Sequence, residues 1–511
     1  MSPSDDEGEA RRGEGEVTEK TPFNTDFPSP NKSAIGINND DDPVDIGVAI
    51  QGGGCGFGSI LYCSGAFLLQ GAYGAEVIVL TIVGLIVKCE WDLTTFWVSV
   101  LQMSSVLTEA VAALLTSTWG DQYGRRTICL YSSVGLVLAG GLCATARNFW
   151  QLVMWRAICG VFMGTGMGPA VALTGEIPPI RFRSIGISAV SLSWGFGAAM
   201  ASGVAYLTIG TLGWRWYLFV VAACFAPSIF LFWVIYESPR QDVRKGRIKK
   251  AEKTIKNIYM LNCRSSDGLA LLEDETDGTA KEEDVEEVSS GVGRLVRWLG
   301  YGKVYRELQE TNNISTILLV AGLTASSQFT YYALAYAVPR FLNEGYCTGR
   351  DLTPEQSCTF SDATLLELGL VSLFEPIGVL IAVFAVDIIG RRPTFFVDTL
   401  CSLALLTCIY FCAARWFLTA PIFLLKGTVA ILTWAPFLLA SELFPTGLRS
   451  FATSICNSVQ GFVAIVAIMV VQLSFEVSPR LVLGMLQGVI FLGGVCLFYL
   501  KKETMGAQLE Q

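Results

Sequence analysis

Three glutamates stand inside otherwise apolar stretches of this 511-residue chain: Glu76, Glu109 and Glu375. Two cations, Arg156 and Lys426, do the same. Ionisable side chains in such surroundings are expensive to hold and tend to mark ion or proton pathways. The chain has no histidine, so a proton relay would have to run through carboxylates, whose proton affinity rises on burial. All three glutamates are therefore expected to line a central cavity as proton or cation sites. The competing reading is static: Arg156 and Lys426 simply neutralise them. The pattern favours function for Glu109 and Glu375 and leaves Glu76 open between the two readings. Polar and aromatic residues in the same stretches, namely Tyr73, Trp194, Gln328, Tyr331, Tyr332, Trp434 and Asn457, are candidate contacts for a small solute. Such side chains also fill helix interfaces. Gly160, Gly164 and Gly168 read as a small-residue ladder for close helix packing.

Two of these glutamates belong to a repeat. Glu109 and Glu375 are 266 positions apart, and the same offset relates Asp121 to Asp387, Gly124-Arg125-Arg126 to Gly390-Arg391-Arg392, Glu176 to Glu442, Pro179 to Pro445, Arg183 to Arg449 and Glu237 to Glu503. With only 16% of residues charged, so many coincidences at one offset indicate two halves built on one plan. Glu109 precedes Asp121 by about 18 Å of helix at 1.5 Å per residue. That puts Glu109 and Glu375 near mid-depth, and the remaining matched charges in a ring at one end. With Arg240, this ring reads as a gate whose ion pairs contribute about 0–1 kcal/mol each, few enough for a solute to undo. Arginines that only fixed topology would need no matched carboxylates.

The elements that position these residues follow from composition. The chain is 52% hydrophobic with a mean hydropathy of +0.49, which suits a bilayer better than water. Apolar runs long enough for a ~30 Å hydrocarbon core fall near 60–87, 96–117, 128–146, 150–173, 185–211 and 216–236, then 314–338, 364–386, 394–413, 416–440, 451–475 and 481–500. The expected fold is an all-α membrane protein with twelve transmembrane helices in two six-helix pseudo-symmetric halves. Residues 1–56 read as a disordered acidic tail, 57–240 as the first half, 241–313 as a linker, 314–503 as the second half and 504–511 as a short tail. The net charge of −9 hides a basic membrane region, because residues 1–45 and 273–287 each carry −8. Both are too polar to order themselves. Residues 292–309 mix Arg and Lys with apolar residues and could lie along the membrane face. Arginines crowd the turns after spans 2, 4, 8 and 10, which sets both termini and the linker on the cytoplasmic side. Cys347 and Cys358 then flank an external loop and form a candidate disulfide. No metal spacing, no phosphate loop and no nucleophile–base pair is visible, so neither an enzyme nor a cofactor is expected.

Asp121-Gln122-Tyr123-Gly124-Arg125-Arg126 and its copy at Asp387 resemble the signature of the major facilitator superfamily, although Ser117 and Val383 stand where the family pattern begins with Gly. Glu237-Ser238-Pro239-Arg240 and Arg156-x-x-x-Gly160 are similar to motifs of its sugar-porter branch. Cys89-Glu90-Trp91, Gly213-Trp214-Arg215-Trp216 and Tyr331-Tyr332 resemble the synaptic vesicle 2-related group, placed with organic-ion and niacin-type porters. Glu375-Pro376 looks like that group's span-8 Glu, whereas Glu109 and Tyr73 depart from it. The resemblance implies a secondary active carrier of a small organic ion or vitamin-like solute, working by alternating access with proton or cation coupling. It implies a monomer in a plasma or vesicle membrane, with no nucleic-acid partner. A sugar porter is the alternative within transport, and a non-transporting vesicle-resident sensor or trafficking protein the alternative outside it. Span 5 has no glutamine and span 7 only Gln328, which speaks against the sugar porter.

Overall fold

The computed structural model describes residues 46–116, 119, 123–263, 314–343, 360–411, 415–444 and 446–500. Twelve of its helices are long and apolar enough to cross a membrane. They are α1 Phe57–Glu90, α2 Thr95–Thr116, α3 Arg125–Cys143, α4 Phe149–Glu176, α5 Ile180–Leu212 and α6 Trp214–Val234, then α7 Ile314–Asn343, α8 Asp362–Ile389, α9 Arg391–Tyr410, α10 Arg415–Leu443, α11 Thr446–Val477 and α12 Pro479–Tyr499. Each coincides with an expected span to within a few residues at either end. α6 is broken at Phe225-Ala226, because Pro227 offers no amide to the preceding turn.

Local chemistry sets the helix ends. The Asn148 side chain accepts from Gln151 N at 2.8 Å, and Ser361 accepts from Thr364 N at 3.2 Å, satisfying free amides at the starts of α4 and α8. Gly124 and Gly390, the matched glycines before α3 and α9, have φ of 117° and 103°. Side chains rarely adopt that backbone, which explains a glycine in both copies.

Within the first half α1 packs on α5, α2 on α4 and α3 on α4; in the second α7 packs on α11 and α12 and α8 on α10. The halves meet along α5 with α8, α2 with α11, and α1 with α7. Small residues permit these approaches. A Cβ on Gly197 would lie 1.8 Å from Gly71 O, and one on Gly164 would lie 2.2 Å from Glu109 O. Between the halves, a Cβ on Gly461 would meet Ala110 Cβ at 2.5 Å, and one on Gly195 would meet Pro376 Cδ at 2.4 Å. Close packing across both seams thus survives Ser117 and Val383. The glycine ladder is shorter than expected, since a Cβ on Gly168 meets nothing within 4 Å.

Two short helices correct the expected tail and linker. Ile46–Gly53, inside the segment read as a disordered tail, is helical and packs on Ile248–Leu261. Ala49 and Ile50 bury against Ile255 and Tyr259, and Tyr259 Oη donates to Ala49 O at 2.8 Å. These apolar residues follow the acidic run and give the tail's end something to bury. The linker's amphipathic helix is this one at Ile248–Leu261; residues 292–309 lie outside the described residues.

Overpacking a tight helix crossing costs about 1–3 kcal/mol. Gly197→Val should therefore lower the thermal unfolding midpoint of the detergent-solubilised protein, while Gly168→Ala should leave it unchanged. Equal effects would contradict the packing described.

Candidate functional site

The three glutamates meet three different fates. Glu76 on α1 forms a buried ion pair with Arg156 on α4. The pair lies inside the first half, beside Gly140 on α3, whose built Cβ is 3.8 Å from Glu76 Oε1, and within electrostatic reach of Tyr217 on α6. Tyr336 of α7 is within electrostatic reach of both members of the pair, so Glu76 stands beside the junction already neutralised by Arg156. A carboxylate in an apolar bundle turns to the cation that can neutralise it, and Arg156, 1% exposed, is that cation.

Glu375 on α8 does reach the junction. Lys426 Nζ on α10 lies 2.5 Å from Glu375 Oε1 and 4.8 Å from the centre of the Tyr331 ring on α7. Tyr331 Oη donates to Glu375 Oε2 at 3.4 Å and accepts from Trp194 Nε1 on α5 at 2.5 Å. Because α5 belongs to the first half and α7, α8 and α10 to the second, this chain of contacts joins the two.

Glu109 on α2 has no hydrogen-bond or ion-pair partner among the described residues. It is buried at 9% exposure and lies within electrostatic reach of Tyr73 on α1 and of Tyr332 and Tyr336 on α7. The hydroxyls of Tyr73 and Tyr336 are buried without a hydrogen-bond partner. Tyr332 stacks edge to face on Tyr331 with centroids 5.6 Å apart, so one aromatic array, Trp194–Tyr331–Tyr332, runs from the Glu375 cluster to the Glu109 cluster. Gln328 is buried on α7. Trp434 packs on Phe395 of α9, and Asn457 is exposed on α11; neither contacts the charges.

At the arginine-rich end, Arg125 on α3 forms an ion pair with Glu176 at the end of α4. Ser238 Oγ donates to Glu176 Oε2 at 2.5 Å. The Arg126 amide donates to Glu237 Oε1 at 2.9 Å, and its guanidinium to Phe232 O and Trp233 O. Arg392 repeats the last contact by donating to Phe498 O of α12, and Arg391 donates to Val386 O. These contacts knit helices within each half, and Arg125, Glu176, Arg240, Arg391 and Arg392 each make further contacts. Arg240 is half-buried in the short helix Pro239–Arg244. Beside it, burial pushes the Asp242 carboxyl up from its ordinary range against the pull of Arg247, Lys250 and Lys245. Asp121 and Glu503 lie outside the described residues, as do the side chains of Arg183, Asp387, Glu442 and Arg449. Cys347 and Cys358 also lie outside them; Cys89 at the end of α1 is disulfide-bonded.

The opposite end carries a network that the sequence reading missed. Thr95 Oγ1 at the start of α2 donates to Glu476 Oε1 on α11 at 2.6 Å, and Lys88 on α1 lies 3.6 Å from the same oxygen. Arg340 on α7 reaches Glu476 at 3.5 Å and Gln472 at 3.3 Å, and Gln472 Nε2 donates to Gln102 Oε1 on α2 at 3.1 Å. The contacts of Thr95, Lys88 and Gln102 cross between the halves, while Arg340 holds Glu476 and Gln472 within the second half. The signal was charge in the last turns of α7 and α11, just beyond where the apolar runs seemed to stop. Asp398 on α9 was also missed, although it is plain within its apolar run. It is 6% exposed, with Oδ2 unpartnered. The motifs around Cys89 and Gly213 turn out to be one contact: Glu90 accepts from Trp214 Nε1 at 2.5 Å and from Arg215 at 3.0 Å.

Twelve membrane helices in two matched halves, with buried charge and aromatic rings where they meet, define a transporter of the major facilitator fold. The family model described as sugar (and other) transporter matches residues 48–511, and the chain belongs to that family. It is 26% identical over 451 residues to a synaptic vesicle 2-related protein of Rattus norvegicus, covering 85% of this chain and 77% of that one. It is 24% identical to the putative transporter svop-1 of Caenorhabditis elegans, covering 85% and 80%. The fold matches the proton:xylose symporter XylE bound to 6-bromo-6-deoxy-D-glucose with a TM-score of 0.63 at 18% identity, covering 88% of this chain and 97% of that one. XylE of E. coli in a partially occluded inward-open conformation gives 0.63 at 16% identity, covering 87% and 99%.

Removing one partner of a buried ion pair costs about 3–5 kcal/mol, whereas replacing both is close to neutral. Lys426→Met should therefore destabilise the protein markedly, and adding Glu375→Gln should restore most of the loss. A double variant as unstable as the single one, by thermal unfolding, would contradict the pairing.

Proposed function

We propose that this chain is a secondary active carrier that moves a small organic ion across a membrane by alternating access. The observation that carries the reading is the Glu375–Lys426–Tyr331–Trp194 cluster, in which a buried ion pair in one half is wired to an aromatic residue of the other. Binding or protonation that alters this pair alters a contact between halves, which is what coupling solute to conformation requires. Orientation follows from the arginine-rich turns and agrees with a disulfide at Cys89 on the arginine-poor end, since disulfides persist in oxidising compartments. Both termini are then cytoplasmic, and the Glu476 network closes the external end. Lys88, Thr95 and Glu476 are partly exposed, with Glu476 at 48%, so their contacts contribute at most about 1 kcal/mol each, which keeps the closure reversible; Arg340, Gln102 and Gln472 are buried.

In proteoliposomes, Glu375→Gln should abolish uphill uptake yet retain counterflow exchange; unchanged uphill uptake would remove the coupling role. Independently, Glu476→Gln should raise several-fold the rate at which a membrane-impermeant maleimide labels a cysteine placed at the buried position Ser99. A rate no different from the parent's would mean the network does not hold the external end shut.

A further inference from the structure

We propose that the junction between the halves holds a binding site for a monovalent organic cation, with Glu109 as its counter-ion; this deepens the carrier reading and rests on it. Pseudo-symmetry relates Glu109 to Glu375 and, at the same offset of 266, Gly160 on α4 to Lys426 on α10. In the second half the ammonium of Lys426 meets its carboxylate at 2.5 Å. In the first half that cation is replaced by Gly160, where a Cβ would lie 2.0 Å from Ser105 O; no cationic side chain fits there. Arg156, on the same helix, is taken by Glu76. The two pairs cancel, and Glu109 is the carboxyl left at the junction without a cationic partner among the described residues.

Its surroundings suit an organic ammonium. The phenol groups of Tyr73, Tyr332 and Tyr336 lie within electrostatic reach of the carboxylate, and aromatic residues beside a carboxylate can offer ring faces to a cation. Two of these residues hold buried hydroxyls with no partner, free to bond a polar group on the ligand. The protein already displays this chemistry a short way along the same aromatic array, where the Lys426 ammonium is held by a carboxylate and the face of Tyr331. The Glu109 cluster offers the carboxylate and the tyrosines without the lysine.

The test uses the full-length purified protein and reads thermal stabilisation by tetramethylammonium and choline, by the neutral choline isostere 3,3-dimethylbutan-1-ol, and by nicotinate as an anion. The two ammonium ions should stabilise the wild type and the other two should not. Glu109→Gln should weaken ammonium binding at least tenfold, while Glu109→Asp keeps part of it. If Glu109→Gln does not accumulate, Tyr336→Leu keeps the carboxylate, removes one ring and should weaken binding as well. No ammonium binding, equal binding by either weakening variant, or preference for the isostere or nicotinate overturns the site. Ammonium binding without flux into liposomes would leave the site standing and overturn the carrier reading. Flux of an anion or neutral solute without ammonium binding would do the reverse.

Discussion

A charged side chain at mid-membrane depth has to find an opposite charge, and that constraint organises the interior of this protein. Glu76 satisfies it within one half by pairing with Arg156. Glu375 satisfies it at the seam by pairing with Lys426, and so brings Tyr331 and Trp194 into a contact that spans the halves. Glu109 has no such partner among the described residues. Static neutralisation, weighed at the outset against function, thus accounts well for Glu76, in part for Glu375 and not at all for Glu109.

The two ends of the helices are built differently. At the arginine-rich end the described charges and backbone carbonyls bind the helices of each half to one another, making each half a rigid body. At the other end Thr95, Lys88 and Gln102 of the first half bind Glu476 and Gln472 of the second, which Arg340 holds in place. On the proposed carrier reading, the polar contacts at that end and the buried clusters midway are the places where the two halves would separate or pivot. Glycines at the α1–α5 and α2–α4 crossings lock helices together inside a half.

The twelve spans were legible because membrane thickness fixes helix length, and the repeat was legible because charges are rare. The same offset put Glu109 and Glu375 at one depth before any geometry was known. What could not be read was which cation each carboxylate would choose, since Glu375 and Lys426 lie 51 positions apart on different helices. The pairing of Glu76 with Arg156 also escaped, because helical position gives depth but not the rotational face that packing selects. The closed network at the arginine-poor end was hidden by helix ends that run past their apolar cores, leaving Arg340 and Glu476 looking like loop residues. Trp434 and Asn457 were plausible by residue type, yet Trp434 packs on Phe395 and Asn457 is exposed.

The central claim is that Glu109, alone among the three glutamates, has no cationic partner of its own and takes one from a ligand. Infrared difference spectroscopy of the carboxylate region, recorded with and without a saturating quaternary ammonium ion, addresses it most directly. The account predicts one perturbed carboxylate band that disappears in Glu109→Gln and persists in Glu76→Gln. A band that survives in Glu109→Gln, or one removed instead by Glu76→Gln, would contradict it.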